Sequence, residues 1–426
     1  MRHFDFLTEQ QTSRLFHASP QALTLESDPE LLAVALGATL YSPADRPQLA
    51  ADIIKQSARG CLSMVLCLED SIADSAVEAA EDNVVRTLQL LAQEADGPRA
   101  DGSAAPSRST TFRAADSGLM LFIRVRTPEQ MVRLAQRCGA SLDLLTGFVI
   151  PKFENETGRA QLFLDALQTV QAIHAAVQPD ASGMTQEQAQ HQSHGSRRLR
   201  IMPILESPIM IHRETRSASL ANIRAVLQAH RQDILAVRIG ATDMSSTFGL
   251  RRSRDLTIYD VKVVASVIGD IVNILGRSED GFVISGPVWE HYANTERLLR
   301  PLLRATPFAD SDDVALRQRI LLANLDGLMR EISLDHANGL LGKTVIHPSH
   351  VPLVHALSVI SHEEFLDAGE IAGNSGGGAA ASPYGNKMNE MKPHQGWARQ
   401  TLLRAAAFGV AAPDVTFVDF LEAGMN

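Results

Sequence analysis

Six apolar runs in this sequence each end in residues able to do acid, base or ion-binding chemistry. Met64–Leu68 runs into Glu69-Asp70, and Leu121–Val125 closes on Arg124-Val125-Arg126. Gly147–Ile150 is followed by Pro151-Lys152, and Ile201–Leu205 by Glu206. Ala236–Gly240 leads to Asp243, and Thr344–Ile346 to His347-Pro348. Two carboxylates from neighbouring runs, Glu206 and Asp243, suit a hard divalent cation. Mg²⁺ takes oxygen ligands and typically one or two protein carboxylates, leaving positions for water and substrate. Such a cation would bind the oxygens of a keto acid or thioester and stabilise an enolate. Arg124 has the planar fork that grips a carboxylate or carbonyl oxygen. Lys152 has three readings: a Schiff-base nucleophile, a substrate contact, or a partner of Glu69 or Glu206.

For these residues to meet, the runs that carry them must be parallel strands. Eight candidates are Thr39–Ser42, Met64–Leu68, Leu121–Val125, Gly147–Ile150, Ile201–Leu205, Ala236–Gly240, Gly281–Ser285 and Thr344–Ile346. Helical patterns lie between them at Arg46–Ser57, Ile72–Gln93, Pro128–Cys138, Gly158–Val177 and Ile258–Leu275, and Leu298–Leu341 has room for two more. Near-continuous apolar strands alternating with helices mark a parallel sheet covered by helices. Eight such units favour an α/β fold of the (β/α)8 type, with an open doubly wound sheet as the alternative. In the closed form every strand end listed above opens on one face, where barrel active sites lie.

The expected organisation is an N-terminal extension over 1–38, the barrel over 39–370, and a hinge with a C-terminal lid or helical segment over 371–426. Surface insertions are expected at about 93–118 and 179–198, where Gly, Ala, Pro, Ser, Asp, Gln and His predominate. The hinge contains Gly376-Gly377-Gly378. The 426 residues carry 39 Lys and Arg against 49 Asp and Glu, a net charge of −10, which argues against a nucleic-acid groove or an anionic membrane surface. Cys61, Cys67 and Cys138 form no C-x-x-C pair and no disulfide framework, which fits a reducing cytoplasm. The start of the chain lacks a signal-peptide run, and the longest apolar stretch, near Leu31–Leu40, is too short to span a bilayer. The expected partner is a small-molecule substrate.

The motifs, in order, resemble those of the citrate lyase beta subunit-like group of the HpcH/HpaI aldolase family. Leu40-Tyr41-Ser42-Pro43-Ala44-Asp45-Arg46-Pro47 is similar to its opening strand and loop, and Val65-Leu66-Cys67-Leu68-Glu69-Asp70-Ser71-Ile72 to its D-L-E-D-S-V motif. Phe122-Ile123-Arg124-Val125-Arg126 resembles its V-R-I-N strand, and Val149-Ile150-Pro151-Lys152 its L-P-K strand. Pro203-Ile204-Leu205-Glu206-Ser207 and Gly240-Ala241-Thr242-Asp243-Met244 resemble its two metal-ligand strands. Gly342-Lys343-Thr344-Val345-Ile346-His347-Pro348 is similar to its G-K-x-x-I-H-P signature. The likeness runs from about Thr39 to Ala407 and is greatest to a divergent branch associated with tellurite-resistance genes.

The resemblance implies a TIM barrel that cleaves or forms a carbon–carbon bond next to a metal-bound enolate of a keto acid or a coenzyme A thioester. By position, Glu206 and Asp243 would hold Mg²⁺ or Mn²⁺, Arg124 the substrate oxygen, and Glu69 and Asp70 would orient metal-bound water and the arginine. Glu390, in Asn386-Lys387-Met388-Asn389-Glu390, stands where relatives place a carboxylate lent by a neighbouring subunit, as a general acid or base. That implies a homo-oligomer, a trimer or hexamer. Pro287, just beyond Gly281–Ser285, joins Arg124 and Arg126 as an expected substrate contact.

Two departures from the pattern stand out. Cys67 replaces the first aspartate of the D-L-E-D motif and reads as a small buried residue, not a nucleophile. Arg126 replaces an asparagine and would favour a more acidic or phosphorylated substrate. His347 reads as a loop cap, and Trp289 and Tyr292 as packing or pocket wall. Two rival functions stay open: a lysine-dependent aldolase using Lys152, and a non-catalytic ligand-binding or scaffold protein built on this barrel.

Overall fold

The computed structural model describes residues 1–95, 119–177, 197–292 and 314–425. The insertion expected at 93–118 and that at 179–198 fall almost entirely outside them, as does the start of the 298–341 connection. What is described of that connection is one long helix, Val314–Ala337.

Twelve strands occur among the described residues, and eight form the central sheet. These are β2 (Ala38–Pro43), β3 (Ser63–Cys67), β4 (Met120–Arg124), β5 (Leu145–Ile150), β6 (Arg200–Leu205), β7 (Val237–Ile239), β8 (Ile284–Ser285) and β9 (Lys343–Val345). All neighbouring pairs are parallel, in the order β8-β7-β6-β5-β4-β3-β2-β9. The ends meet: Gly286 bridges Lys343, Leu341 N–H donates to Ile284 O at 2.8 Å, and Thr344 N–H donates to Gly286 O at 3.0 Å. The closed barrel is therefore the form adopted, and the open sheet is not.

Each expected strand is present within a few residues of its place. The largest difference is at 281–285, where only Ile284–Ser285 pairs as a strand.

Side chains alternate across a strand, and the sequence uses the alternation to fill two separate cores. Leu40, Met64, Leu66, Leu121, Ile123, Phe148, Ile150, Ile201, Leu205, Val237, Ile239 and Val345 face outward into the helix-lined cluster. Val65, Phe122, Val149, Met202 and Ile204 belong to a second, inner cluster that fills the barrel. Continuing the inner rows by two residues places Glu69 above Val65 and Cys67, Arg124 above Phe122, and Glu206 above Ile204. The same alternation puts Arg238, then Gly240, on the inner side of β7.

The N-terminal extension and the C-terminal segment pack together at the amino-terminal end of the barrel strands. The strand β1 (Phe16–Ala18) pairs antiparallel with β12 (Val410–Ala411). The helix Pro29–Ala35, capped by Asp28, packs against the helix Gln395–Phe408. Leu23, Leu32, Val34, Ala407 and Phe408 join Met120, Leu235 and Ala236 in covering that end. Between them, β10 (Ala379–Ala381) and β11 (Met388–Glu390) form a separate hairpin. Among the described residues no helix is long and apolar enough to cross a membrane.

Candidate functional site

The carboxyl ends of β3, β4, β5 and β6 bring Glu69, Asp70, Arg124, Lys152 and Glu206 into one contiguous cluster. The Arg124 guanidinium is its centre. It pairs closely with Glu69 through Nη2, and the same nitrogen lies 3.3 Å from Asp70 Oδ2 and 3.4 Å from Glu206 Oε1. Lys152 closes the ring, donating from Nζ to Glu69 Oε1 at 2.9 Å and from its backbone N–H to Glu206 Oε1 at 3.0 Å. Its φ of 51° turns the chain sharply just past β5, which is how one residue serves both carboxylates. Asp70 N–H donates to Glu69 Oε2 at 3.1 Å.

Glu206 is 3% exposed, and Gly240 explains how it fits. A Cβ at Gly240 would stand 2.0 Å from Glu206 Oε2 and 2.5 Å from Glu206 Cβ. The carboxylate occupies the inner position that β7 leaves without a side chain. Three residues on, Asp243 lies half-buried in the first turn of the helix Ala241–Thr247.

The charges in the cluster shape one another. Burial pushes the Glu206 carboxyl up to about 7, with Asp243 and Glu69 adding to the shift while Arg124 and the Lys152 N–H oppose it. Burial also works against the charge on Glu69, but Arg124, its bond to Asp70 and Lys152 outweigh it and hold Glu69 below the usual carboxylate range. Asp70 is raised, by burial first and then by Glu69. Arg124 and Lys152 both hold their protons more tightly than usual, because the surrounding carboxylates overcome the cost of burial. Lys152 is thus a cation in an ion pair.

A cleft of about 490 Å³ opens beside the Glu69–Lys152 pair, lined by Glu69, Asp70, Ile72, Ala73, Asp74, Arg126, Lys152 and Arg159. Arg126, an expected substrate contact, stands in its wall with its fork already engaged. It donates to Leu68 O at 2.6 Å, Glu69 O at 3.1 Å and Ile72 O at 3.3 Å, and pairs with Asp74 at 2.5 Å. Those bonds brace the loop that carries Glu69 and Asp70. Pro287 is buried in the loop after β8. Beside it Trp289 is fully buried against Arg252, and exposed Tyr292 stacks on His347 with ring centres 5.1 Å apart. His347 caps the short turn Pro348–His350 through Nδ1, which accepts from Ser349 N–H, as a loop-capping histidine should. Cys67 is buried on the inner row below Glu69.

Glu390 is placed elsewhere. Its N–H donates to His394 Nδ1 at 3.2 Å, and its hairpin is fastened to the helix His362–Gly373 of its own chain. That fastening consists of Lys387 with Asp367 at 2.7 Å and Asn389 with Asp367 at 2.8 Å. Among the described residues no hydrogen bond or ion pair joins Glu390 to the Arg124 cluster.

The donor set available to a metal is all oxygen. Among the described residues no three His, Cys, Asp or Glu are grouped so as to hold an ion, so a metal beside Glu206 would take few ligands from the protein. The pair Glu206 and Asp243 fits that pattern for Mg²⁺. Burial is the main reason the Glu206 pKa is raised and Asp243 adds to it, and a cation held by the two carboxylates would offset both.

Sequence reasoning had no role for Gly240, or for the link from Thr242 Oγ1 to Glu290 at 2.8 Å that braces the helix carrying Asp243. The spacing of Gly240 to the inner-row Arg238 was the available sign for the first; nothing in the sequence pairs Thr242 with Glu290.

A family model described as a C-C bond lyase of the TIM-barrel fold matches residues 30–410. Among solved structures, a citrate lyase from Burkholderia xenovorans LB400 superposes with a TM-score of 0.54 at 12% identity, over 90% of this chain and 96% of that one. The protein CitE from Mycobacterium tuberculosis, in complex with magnesium, acetoacetate and coenzyme A, gives 0.47 at 19% identity, over 88% and 99%. A citrate lyase beta subunit from the same organism, complexed with oxaloacetate and magnesium, gives 0.40 at 18% identity, over 76% and 96%. No curated protein matches the chain.

Proposed function

Because the chain belongs to the C-C bond lyase family of the TIM-barrel fold, we propose that it cleaves or forms a carbon–carbon bond next to the carbonyl of a keto acid or a coenzyme A thioester. The observation that carries this reading is the Arg124 guanidinium held among Glu69, Asp70 and Glu206 at the carboxyl ends of the strands. Arg124 binds the substrate oxygen on which negative charge develops, and Glu69 fixes the guanidinium so that no reorientation is needed as that charge grows. Glu206 and Asp243 would hold Mg²⁺ (Mn²⁺ suits the same ligands), and the ion would supply Lewis-acid stabilisation of that oxygen. Lys152 keeps Glu69 in place and contributes positive charge to the cleft. Asp70, with its raised pKa, orients water at the mouth. Arg126 sets the loop, and Pro287 bounds the substrate.

Proton transfer to or from the substrate carbon falls to Glu390 of a second copy. Glu390 makes no described bond to the cluster of its own chain, so a role for it requires a homo-oligomer, a trimer or hexamer on the family's pattern. The alternative of a Schiff base on Lys152 is disfavoured, because an ion-paired lysine with a raised pKa is a poor nucleophile. A scaffold role would leave the Arg124 cluster without a purpose that its burial and charge require.

Asp243→Asn tests the assignment. The variant should melt like the parent and lose Mg²⁺-dependent binding of oxalate, an analogue of a planar enolate. Binding that persists unchanged would remove Asp243 from the site.

A further inference from the structure

Inside the barrel, one layer below the carboxylate cluster, lies a guanidinium with no counter-charge. Arg238, in the middle of β7, is 1% exposed. Its contacts are neutral: Nη1 donates to Thr39 Oγ1 at 3.2 Å and approaches Met202 Sδ at 3.8 Å, and Nη2 donates to Thr344 Oγ1 at 2.5 Å. Its carbon lies 5.4 Å from the centre of the Tyr41 ring, and its Nε has no hydrogen-bond partner. Among the described residues no carboxylate pairs with it. An isolated buried cation is costly, and an apolar side chain of similar length would fill the space at far less expense.

The place of Arg238 in the sheet shows what offsets that cost. It stands opposite Ile204 on β6, two residues before Glu206 and therefore about 7 Å down the strand. Tyr41, which it touches, is close enough to Arg124 and Glu206 to feel both charges, and Arg238 and Arg124 feel one another. Above it, among the described residues, the carboxylates Glu69, Asp70, Glu206 and Asp243 stand with Arg124 and Lys152, and the adjoining cleft wall adds Asp74, Arg126 and Arg159. With Arg238 counted the five carboxylates and five cations balance, and a divalent cation leaves two positive charges for an anionic substrate.

We infer that Arg238 is a positioning residue that acts through its charge: from beneath the floor it weakens the hold of the carboxylates on the metal and strengthens the hold of the loaded site on an anionic substrate. The inference rests on the metal assignment made above for Glu206 and Asp243. Its distinguishing mark is that removing Arg238 moves the two affinities in opposite directions, which mere loss of packing does not do. A unit charge about 8 Å away, at an effective dielectric of about 40, changes the binding of a doubly charged ion by about thirtyfold.

The test is calorimetric titration of the full chain with Mg²⁺, then with oxalate at saturating Mg²⁺, for the parent, Arg238→Met and Arg238→Lys. Arg238→Met should bind Mg²⁺ about thirtyfold more tightly and oxalate about thirtyfold more weakly, while Arg238→Lys stays near the parent in both. If the methionine variant does not fold, Arg238→Gln, neutral and polar, carries the same expectation. Unchanged constants in the neutral variant would make Arg238 a space-filler. Weaker binding of both ligands, or a lysine variant that behaves like the neutral one, would also overturn the proposal. A parent that binds no Mg²⁺ would refute the metal assignment itself, and this inference with it.

Discussion

Replacing Gly240 by alanine tests the close approach of β7 that leaves room for the Glu206 carboxylate. The backbone at Gly240, φ −93° and ψ 70°, is open to any residue, so the cost is one of contact alone. The new methyl would fall 2.0 Å from Glu206 Oε2, 2.5 Å from its Cβ and 2.9 Å from its Cδ, all inside the distance that real carbon contacts reach. Glu206 has little room to retreat, since Oε1 is tied to Lys152 N–H at 3.0 Å and the residue is 3% exposed. Overpacking of this kind costs about 1–3 kcal/mol. Displacing a group that sets ligand geometry typically lowers metal affinity by roughly 10- to 100-fold.

Thermal unfolding and Mg²⁺ calorimetry read the two effects separately. Gly269→Ala is the control: it lies exposed in the helix Lys262–Leu275, and its Cβ would meet nothing within 4 Å. That change should stabilise the chain by about 0.5–1 kcal/mol and leave Mg²⁺ affinity alone. Parental Mg²⁺ affinity in Gly240→Ala would refute the claim that Glu206 ligates the ion from that crevice.

Acidity should act on the same carboxylate. A carboxyl whose folded pKa is raised, here from 4.5 to about 7, contributes stability that is complete below its ordinary value and is lost as pH climbs through about 7. Metal binding needs the ionised form, so Mg²⁺ affinity should rise over that window with release of a proton, and titration in buffers of different ionisation enthalpy would show it; a flat profile contradicts the assignment. On the far side of β9, Lys343 is fully buried between Glu331 at 2.8 Å and Asp335 at 2.7 Å, so Lys343→Met should cost about 3–5 kcal/mol in chemical denaturation, and a loss below about 1 kcal/mol would show the network to be dispensable. Borohydride with a keto acid should leave no covalent adduct on the chain by mass spectrometry; an adduct on Lys152 would restore the Schiff-base reading.

The ends of the strands were legible because a parallel barrel leaves the sequence one way to arrange them. Apolar runs must be strands buried on both faces, and the first charged residue after each must stand at the rim. Glu69, Arg124, Lys152 and Glu206 stand together at that rim. Arg126 was expected to touch substrate beside Arg124, and its bonds to the 68–72 carbonyls, which no local pattern announces, engage it with the loop instead. Arg238 was hidden for a different reason. A single charged residue inside a short apolar strand reads as an outward position, and only the register of β7 against β6 places it inside. Lys343 lay in a recognisable motif, yet its partners Glu331 and Asp335 come from a helix whose packing no local pattern announces. Glu390 follows a glycine-rich stretch, so its distance from the cluster depends on how the C-terminal segment packs and, in the proposed oligomer, on a second chain.

The most direct test of the central claim is calorimetric binding of oxalate to the intact chain with and without Mg²⁺. Tight binding only in the presence of the metal is the expected result, since Arg124 and the ion would grip the two oxygens together. Equal binding with and without Mg²⁺, or none in either case, would contradict a metal-dependent carbon–carbon lyase site at Glu206 and Asp243.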